Sequence, residues 1–397
     1  MSGQFYDVII VGAGPAGSYA AYELASLGHR VAVFEEKEAP GLNVCCTGII
    51  STECFRSLDL SQDVVLAEIS SAKFFSPSQR CLRLQVEDVQ AYVVNRHLFD
   101  KAMASKAQLQ GARYFFSSPV IDVRPGKDSV RAEALCDGVR ETFGARAVVV
   151  ASGFRRQLPR RLGLGKIGSF LVGAQTEIEA EDVAEVEVYF SQKIAPAGFA
   201  WLVPISPHKA YAGLLAASRA KLHLQEFLDG LVGRGRIAGG QVRIAQKAVP
   251  LGTLPRSYGD RVLVIGDAAG QVKPTTGGGI YFGHLGARIA ARVLDEALDN
   301  DNLTAAYLSR YEKEWKAKMG GELSRGHWAR WAYARLSDRQ IEGIFSALDS
   351  GDMVEAWRSS GCFSFDWHGR LLSAVLKRTS AYPWLKIKHL LSRAANS

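Results

Sequence analysis

The residues with the clearest chemical potential form a glycine-rich turn near the N-terminus. Gly12, Gly14 and Gly17 follow an apolar strand pattern and precede a helical one, and Ala16 stands just before the third glycine. Gly12 permits a tight turn, Gly14 lets the backbone approach a phosphate, and Gly17 lets helix and strand pack closely. Glu35 closes the next strand, where a carboxylate can accept hydrogen bonds from ribose hydroxyls. This order of elements predicts a site for a dinucleotide cofactor.

A second glycine-containing element follows a later apolar strand. Asp267, directly after Gly266, would bring a carboxylate to the carboxyl edge of the sheet, where it can bind the ribityl hydroxyls of a flavin. A helix then begins at Gly278, Gly279 and Ile280, and its first backbone amides can stabilise negative charge on a reduced flavin. The two elements together predict one dinucleotide site, and they favour FAD over NAD.

Composition limits the class of protein. The chain has 397 residues, of which 47% are hydrophobic and 22% are charged. That is enough material for two or three globular domains. No window of about 18 residues lacks a charge, so we expect no transmembrane helix. No basic, cleavable leader precedes the first apolar run, which predicts a cytoplasmic protein.

The cysteines give no sign of a metal centre. There are six, without the paired spacing of a zinc site, and scattered cysteines in an unexported chain are more often reduced than bridged. We therefore expect no metal. The sequence also lacks the Ser-His-Asp order and the helical His-Glu pair that would suggest a hydrolase.

The formal net charge of +8 is partly concentrated near the C-terminus. Residues 368–397 contain six basic residues and no acidic one, together with apolar residues around Trp384. This mixture suits a peripheral contact with anionic lipid at the inner membrane surface. It equally suits a terminal helix packed on its own protein. Nothing resembles a nucleic-acid recognition module, so we expect no nucleic-acid partner.

Two kinds of segment are interleaved along the chain. Alternating strand and helix patterns predict a doubly wound α/β domain, and short segments of alternating polarity predict an antiparallel sheet with one covered face. Helical periodicity then predicts a C-terminal helical region. The predicted domains are a discontinuous FAD-binding domain of residues 1–61, 95–167 and 251–302, a substrate domain of residues 62–94 and 168–250, and a helical region of residues 303–397.

The pairing of the first glycine turn with the Gly266–Asp267 element resembles the flavoprotein family that includes p-hydroxybenzoate hydroxylase, over at least residues 5–300. The resemblance implies a glutathione-reductase-like FAD-binding Rossmann domain. It also implies that Arg96 lies over the cofactor and that the backbone of Val120 contacts the adenine. Ser152 departs from the family, where an aspartate is usual, and this puts hydroxylase-type use of a reduced nicotinamide in doubt.

A loop after the Glu35 strand points to a narrower branch. Cys46, Thr47 and Gly48 resemble the cysteine-containing loop that geranylgeranyl reductases place beside the flavin. The resemblance implies cofactor contacts for all three residues. Cys46 is the candidate for proton delivery or for positioning the loop. The alternative is that Cys46 is a small buried hydrophobic residue.

The segment 194–204 is similar to a second signature of the geranylgeranyl reductases, in which aromatic residues line the lipid-chain pocket. It contains Trp201, Pro204 and Phe199, the last in place of the usual tyrosine. The resemblance implies an FAD-dependent oxidoreductase that saturates carbon–carbon double bonds of isoprenoid chains by hydride transfer from reduced flavin. A polyprenyl chain carries no charge, so its site must be apolar, with flat side chains at the reacting end. The alternative is core packing within a strand.

Other flavoprotein functions stay open at this point. A flavin-dependent monooxygenase or halogenase is one, although Phe199 breaks the Trp-x-Trp halogenase signature that residues 198–204 partly resemble. A second is an oxidoreductase of the electron-transfer flavoprotein–quinone type, which would need a cysteine-bound iron–sulfur cluster. A third is a lipid-binding flavoprotein without activity. The sequence does not decide the isoprenoid substrate, the oligomeric state, or whether the electron donor is NAD(P)H, ferredoxin or a quinol.

Overall fold

The apolar run before the first glycine turn is a central strand of a buried sheet. The computed structural model describes residues 5–181, 183–349, 364–369 and 372. Packing divides the chain into two units. The first unit comprises Met1–Val44, Arg96–Ser169 and Pro250–Leu323, and the second comprises Cys45–Asn95, Phe170–Val249 and Ser324–Ser397.

The first unit is built on an eight-stranded sheet. Its strands are β1 (Phe5–Val11), β2 (Val31–Phe34), β8 (Arg113–Phe115), β9 (Val120–Pro125), β10 (Val130–Cys136), β11 (Val139–Val150), β17 (Tyr258–Gly259) and β18 (Val262–Val264). The order is β17-β18-β11-β1-β2-β8, with β10 also paired to β11 and β9 to β10. The strands from β18 to β8 pair in parallel. This confirms the predicted doubly wound core.

Parallel strands covered on both faces need continuous apolar sequence, which β1 and β11 have. Val8, Ile9 and Ile10 are fully buried. The helices of this unit are α1 (Pro15–Ser26), α3 (Arg96–Leu109), α4 (Gln157–Arg161), α6 (Ile280–Asp299) and α7 (Ala305–Trp315). Helix α1 packs against both α3 and α6.

The second unit contains a seven-stranded sheet. Its strands are β5 (Ser71–Phe75), β6 (Cys81–Gln85), β12 (Phe170–Glu179), β13 (Val186–Tyr189), β14 (Phe199–Ser206), β15 (Lys209–Ala216) and β16 (Ala245–Pro250). The order is β16-β12-β15-β14-β13-β5-β6. One pair departs from the predicted antiparallel arrangement, because β5 and β13 run parallel. A parallel pair requires a long crossover, which the residues between these two strands supply.

The described part of the second unit also contains a three-stranded sheet and four helices. The strands are β3 (Ile49–Ser51), β4 (Val65–Ile69) and β7 (Ala91–Val94), in the order β3-β7-β4. The helices are α2 (Thr52–Ser57), α5 (Ala220–Gly233), α8 (Gly321–Tyr333) and α9 (Asp338–Leu348), of which α8 begins at the end of the first unit. Helix α9 starts with a capping box between Ser337 and Gln340.

Up to residue 349, the region predicted to be helical from residue 303 contains α7, α8 and α9. The buried face of α7 is formed by Leu308, Tyr311 and Trp315. Packing divides these helices between the two units, and it places residues 45–61 in the second unit rather than with the glycine turn. Trp384 and nearly all of the basic segment 368–397 lie outside the described residues.

The described residues contain neither a helix that could span a membrane nor a cluster that could hold a metal ion. None of the helices there is both long and apolar enough to cross a membrane. In the same residues, no group of three or more His, Cys, Asp or Glu side chains could hold a metal ion.

Candidate functional site

The first glycine turn is closed by backbone contacts that exclude any side chain. Gly12 has a φ of +105°, and a Cβ there would lie 2.5 Å from the carbonyl oxygen of Ala151. A Cβ on Gly17 would lie 2.0 Å from the carbonyl oxygen of Gly12. Both distances are far below van der Waals contact. The turn can therefore form only with glycine at these two positions.

Gly14 differs from its two neighbours, because a Cβ there would meet no atom within 4 Å. It is the cap residue of α1, and Pro15 follows as the first helical residue. A glycine cap has no side chain to occupy the first backbone amides of the helix. Open space beside an uncapped helix N-terminus, with its positive dipole end, fits a phosphate group.

The Glu35 carboxylate braces this turn. Its Oε2 accepts a hydrogen bond from the Ala13 amide at 2.8 Å, and its Oε1 accepts one from the Lys37 amide at 3.1 Å. A carboxylate has about four acceptor positions, so ribose hydroxyls can still be bound. Sequence reasoning predicts that Glu35 binds ribose hydroxyls, but it does not predict that Glu35 also stabilises the turn.

The Gly266–Asp267 element packs directly against the helix that follows the first turn. Gly266 has a φ of +63°, and a Cβ there would lie 3.1 Å from the Cβ of Ala16. A Cβ on Gly283 of α6 would lie 3.4 Å from the same atom. The structure thus brings together, within the first unit, the two elements that the sequence paired.

A buried hydrogen-bond chain holds the second element in place. The Gly266 amide donates to Gln271 Oε1 at 2.8 Å, and Gln271 Nε2 donates to the Tyr311 hydroxyl at 2.7 Å. The Tyr311 hydroxyl donates in turn to the Val264 carbonyl at 2.9 Å. Burial raises the pKa of Tyr311, so it keeps its proton. Sequence reasoning missed Gln271, whose role depends on contacts between distant segments.

The start of α6 presents backbone amides beside a carboxylate. Gly279 caps this helix, and a Cβ on it would lie 2.7 Å from Asp267 Oδ1. The preceding loop is closed by the Gly277 amide donating to the Lys273 carbonyl at 2.8 Å, and by the Lys273 amide donating to the Gly278 carbonyl at 3.0 Å. Ile280 is the first helical residue. These residues are close enough to act on one ligand.

Two further predicted cofactor residues lie in the same unit. Arg96 opens α3 and forms an ion pair with Asp100, with Nη2 and Oδ2 2.9 Å apart. The two side chains are only 12% and 3% exposed. Arg96 is thus largely buried and fixed by its ion pair with Asp100, unlike an ordinary surface arginine. Val120 begins β9 and pairs with Ala134 of β10.

Ser152 has a buried hydroxyl beside the first turn. Its Oγ has no hydrogen-bond partner within the part of the chain that the structure describes. A Cβ on Gly12 would lie 3.3 Å from the Ser152 Cα. An unsatisfied buried hydroxyl is costly, so this one needs a partner outside the described residues. A bound polar ligand in the turn would supply one.

In the second unit, Phe199 and Trp201 lie on the same face of β14, with ring centroids 5.7 Å apart. We call this the inner face of the seven-stranded sheet, defined by Phe199, Trp201 and Val203. Strand alternation places Pro204 on the opposite face, with Ala200. The structure therefore brings together two of the three predicted substrate residues.

The Trp201 ring lies over a glycine of the neighbouring strand. Trp201 and Gly213 are directly paired in the register of β14 and β15. A Cβ on Gly213 would lie 2.4 Å from Trp201 Cζ2. The indole can lie flat against the sheet only because this position has no side chain. The sequence did not identify Gly213.

The cysteine loop is a tight turn in the same unit. The Gly48 amide donates to Cys46 Sγ at 3.4 Å, Gly48 has a φ of +73°, and Thr47 is half-buried between them. The loop leads into β3, which pairs with β7 in the three-stranded sheet. Burial raises the pKa of Tyr211, which pairs with Val203 on the inner face.

The neighbouring cysteine is a poor nucleophile. Burial is the main cause that raises the pKa of Cys45 to about 11, and its Sγ lies 3.6 Å from the Ala245 carbonyl oxygen. It therefore stays a protonated thiol at neutral pH.

A buried arginine from α8 covers Phe199. The guanidinium carbon of Arg330 lies 5.3 Å from the centroid of the Phe199 ring, and Nη1 donates to the Ala197 carbonyl at 3.2 Å. Burial lowers the pKa of Arg330 to about 10, so it remains cationic at neutral pH. Sequence reasoning missed this contact, since more than a hundred residues separate the partners.

The family described as lycopene cyclase protein matches residues 7–352. The chain is 31% identical to digeranylgeranylglycerophospholipid reductase 2 of Methanothermobacter thermautotrophicus over 364 residues, which cover 88% of this chain and 93% of the relative.

Solved structures give the same overall fold. A geranylgeranyl bacteriochlorophyll reductase-like protein of Thermoplasma acidophilum has a TM-score of 0.85 at 24% identity, covering 98% of this chain and 99% of that chain. A flavin-dependent brominase has a TM-score of 0.71 at 19% identity, covering 95% of this chain and 100% of that chain. At these identities the likeness shows the fold alone.

Proposed function

The chain belongs to the geranylgeranyl reductase family and matches the family described as lycopene cyclase protein, and from that premise we propose that it is an FAD-dependent enzyme that saturates carbon–carbon double bonds of isoprenoid chains. The observation that carries the proposal is the contact of Gly266 with Ala16, which joins two flavin-type elements in one place. We assign cofactor binding to the first unit and binding of the isoprenoid substrate to the second unit.

The residues of the first unit fit FAD. Open space at Gly14 lies beside uncapped amides, and the Ser152 hydroxyl lacks a partner among the described residues. We propose that the α1 N-terminus holds the pyrophosphate, that Glu35 accepts from the ribose, and that Asp267 accepts from the ribityl hydroxyls. Arg96 and the backbone of Val120 are proposed further contacts.

When bound and reduced, FAD supplies a hydride to one alkene carbon. The first amides of α6, at Gly279 and Ile280, would stabilise negative charge that develops near the helix N-terminus. Cys46, with its loop partners Thr47 and Gly48, is proposed to deliver a proton or to position the loop.

The inner face of the second unit suits an uncharged chain. Phe199 and Trp201 offer flat apolar surface beside a cluster that contains Ile69, Val93 and Val186. A polyprenyl tail has no charge to bind, so area and shape must hold it. The relative's name makes a digeranylgeranyl glycerophospholipid the first substrate to test.

The partners of the reaction are also proposals. The inner-face chemistry does not select an electron donor, so NAD(P)H and ferredoxin are both to be assayed. We further propose that the basic segment 368–397 gives the protein a peripheral membrane contact, since it combines positive charge with apolar residues.

The test is an anaerobic assay of the FAD-loaded protein. Dithionite-reduced enzyme is incubated with geranylgeranyl lipids that differ in head group, and the products are analysed by mass. We expect a gain of two hydrogens for each double bond reduced. The oxidised enzyme serves as the control and should leave the substrate unchanged. Unchanged lipids with every head group, or an oxygen-dependent hydroxylated or halogenated product, would contradict the proposal.

A further inference from the structure

A strongly basic segment follows β11 closely in the first unit. Residues 154–166 contain five basic side chains and no acidic one, and all five are exposed: Arg155, Arg156, Arg160, Arg161 and Lys166. The segment includes the short helix α4, whose Leu158 and Pro159 are buried. Its apolar residues therefore anchor it to the unit, while its charged residues lie at the surface. We call residues 154–166 the arginine segment.

The arginine segment begins beside the first glycine turn. Ser152, two residues before it, has its Cα 3.3 Å from the position of a Cβ on Gly12. Arg155 then forms an ion pair with Glu36, the residue that follows Glu35. The start of the segment therefore lies next to the residues proposed to hold the pyrophosphate and the ribose.

The rest of the segment passes two more candidate cofactor residues. Arg161 Nη1 donates to the carbonyl of Ile121 at 2.9 Å, and Ile121 follows Val120 in the chain. Residues of the segment also line a small cavity together with Ala268, which follows Asp267. The arginine segment thus borders the candidate FAD site at four places, all of them within the first unit.

Two basic side chains of the segment have no partner within the described part of the chain. Arg160 and Lys166 are exposed, and their side chains form no hydrogen bond or ion pair with any residue that the structure describes. Ion pairing therefore does not account for these two charges. What they contribute is positive potential around the site.

The candidate site itself carries negative charge. Glu35 and Asp267 are proposed to accept hydrogen bonds from hydroxyls of FAD, yet the pyrophosphate of FAD is also negative. Like charges repel, and this repulsion acts on the cofactor before any hydrogen bond forms. Positive charges at the border offset the repulsion and raise the rate of association, because a charge at the rim of a site acts mainly on the approach of the ligand.

We propose that the arginine segment attracts FAD electrostatically and so accelerates its entry into the site. The inference rests on the proposed function, since it takes FAD as the cofactor. It assigns the loading of the cofactor to side chains outside the hydrogen-bonded site. Arg160 and Lys166 act at a distance, so they change the rate of association and not the rate of dissociation.

The experiment measures the association of FAD with the full-length protein from which the flavin has been removed. Stopped-flow mixing follows the change in flavin fluorescence while NaCl is varied from about 0.01 M to about 1 M, over which the Debye length falls from about 30 Å to about 3 Å. We expect the association rate constant of the wild type to fall about tenfold over this range. The dissociation rate constant, measured by dilution of the loaded protein, should change much less.

A variant with two neutralised charges separates approach from binding. Arg160→Gln with Lys166→Gln should lower the association rate at low salt about threefold and make its salt dependence shallower, with an unchanged dissociation rate. The matched control is Arg30→Gln with Lys127→Gln, which removes the same charge from two exposed positions of the first unit. Arg30 directly precedes β2, and the Lys127 carbonyl accepts from Arg261 directly before β18, so both lie at the opposite edge of the sheet. The control should keep the wild-type association rate.

Each outcome decides the inference. A wild-type association rate that does not depend on salt would overturn it, even if a variant fails to fold. Equal slowing in the variant and in the control would also overturn it, as would an effect of the variant on dissociation alone. Loading that depends on salt and on the segment, without alkene reduction by the loaded and reduced enzyme, would support the inference and reject the proposed function. Reduction with salt-independent loading would do the reverse.

Discussion

The two candidate sites use different parts of the chain. In the first unit the site is made of backbone, because Gly12 and Gly17 lie against carbonyl oxygens at distances that exclude a Cβ. In the second unit the inner face is made of side chains, among them Phe199 and Trp201, on a regular sheet. A backbone site tolerates few changes, whereas a sheet can exchange its surface side chains. We therefore expect that mutations can change cofactor binding without changing the preference for an isoprenoid substrate, and the reverse.

The largest effect is expected at Gly17, where a Cβ would lie 2.0 Å from the Gly12 carbonyl oxygen. Gly17→Ala should force α1 away from the turn, lower the free energy of unfolding by about 3 kcal/mol and abolish FAD binding. Chemical denaturation and flavin fluorescence measure the two effects. Gly14→Ala is the control, and should change the free energy of unfolding by less than about 1 kcal/mol. Equal losses in the two variants would contradict the account.

Acid should also weaken the first unit selectively, through His284 of α6. This ring is buried against Tyr19, with ring centroids 4.2 Å apart. Burial, with smaller contributions from Arg288 and Lys318, lowers the pKa of His284 from 6.5 to about 4. As pH falls, the unfolded chain binds this proton before the folded one does, so stability is lost from about pH 6.5 down to about pH 4.

The expected loss is about 3 kcal/mol over that pH range. Unfolding measured at a series of pH values should show a shallower slope for His284→Leu than for the wild type. His208→Gln, at an exposed position in the second unit, should keep the wild-type slope. If His284→Leu lost stability in acid as steeply as the wild type, this part of the account would be wrong.

A matched change in the second unit should spare the cofactor. Gly213→Ala would place a Cβ 2.4 Å from Trp201 Cζ2 and displace the indole. We expect KM for a geranylgeranyl substrate to rise about tenfold, equivalent to about 1.4 kcal/mol, with unchanged FAD affinity. In Gly173→Ala the new Cβ would have ordinary contacts of 3.4 Å and more, so KM should change little. Loss of FAD from Gly213→Ala would break the proposed separation of the two sites.

The smallest effect is expected at Glu35. Glu35→Ala removes the acceptor of the Ala13 and Lys37 amides, which should lower the free energy of unfolding by about 1 kcal/mol, because the site is partly exposed. Glu36→Ala removes only an ion pair with the exposed Arg155 and should cost about 0.5 kcal/mol or less. Thermal unfolding of both variants without FAD compares them. A larger loss in Glu36→Ala would argue against the bracing role of Glu35.

Much of the first unit could be predicted from sequence, because its strands and turns are marked by local sequence patterns. The apolar runs of β1 and β11, and the glycines of the turn, reflect constraints that act within a few residues. The bracing contacts could not be found in this way. Gln271 lies in a loop and acts through Tyr311 of α7, and no local pattern marks the pair.

The second unit was harder to predict, because its site depends on register. The segment 194–204 identified Phe199 and Trp201, but only the strand register shows that Gly213 lies beneath the Trp201 ring. The signature groups Pro204 with the aromatic residues, whereas strand alternation places it on the opposite face. Arg330 covers Phe199 from a distant helix.

The central claim is that reduced flavin bound to this protein saturates a double bond of a geranylgeranyl lipid. The most direct measurement follows flavin absorbance and lipid mass together, after anaerobic mixing of reduced enzyme with a geranylgeranyl lipid. The account predicts that the flavin is reoxidised as the lipid gains hydrogen, with one double bond saturated for each flavin. A flavin that stays reduced while bound lipid remains unsaturated would contradict it.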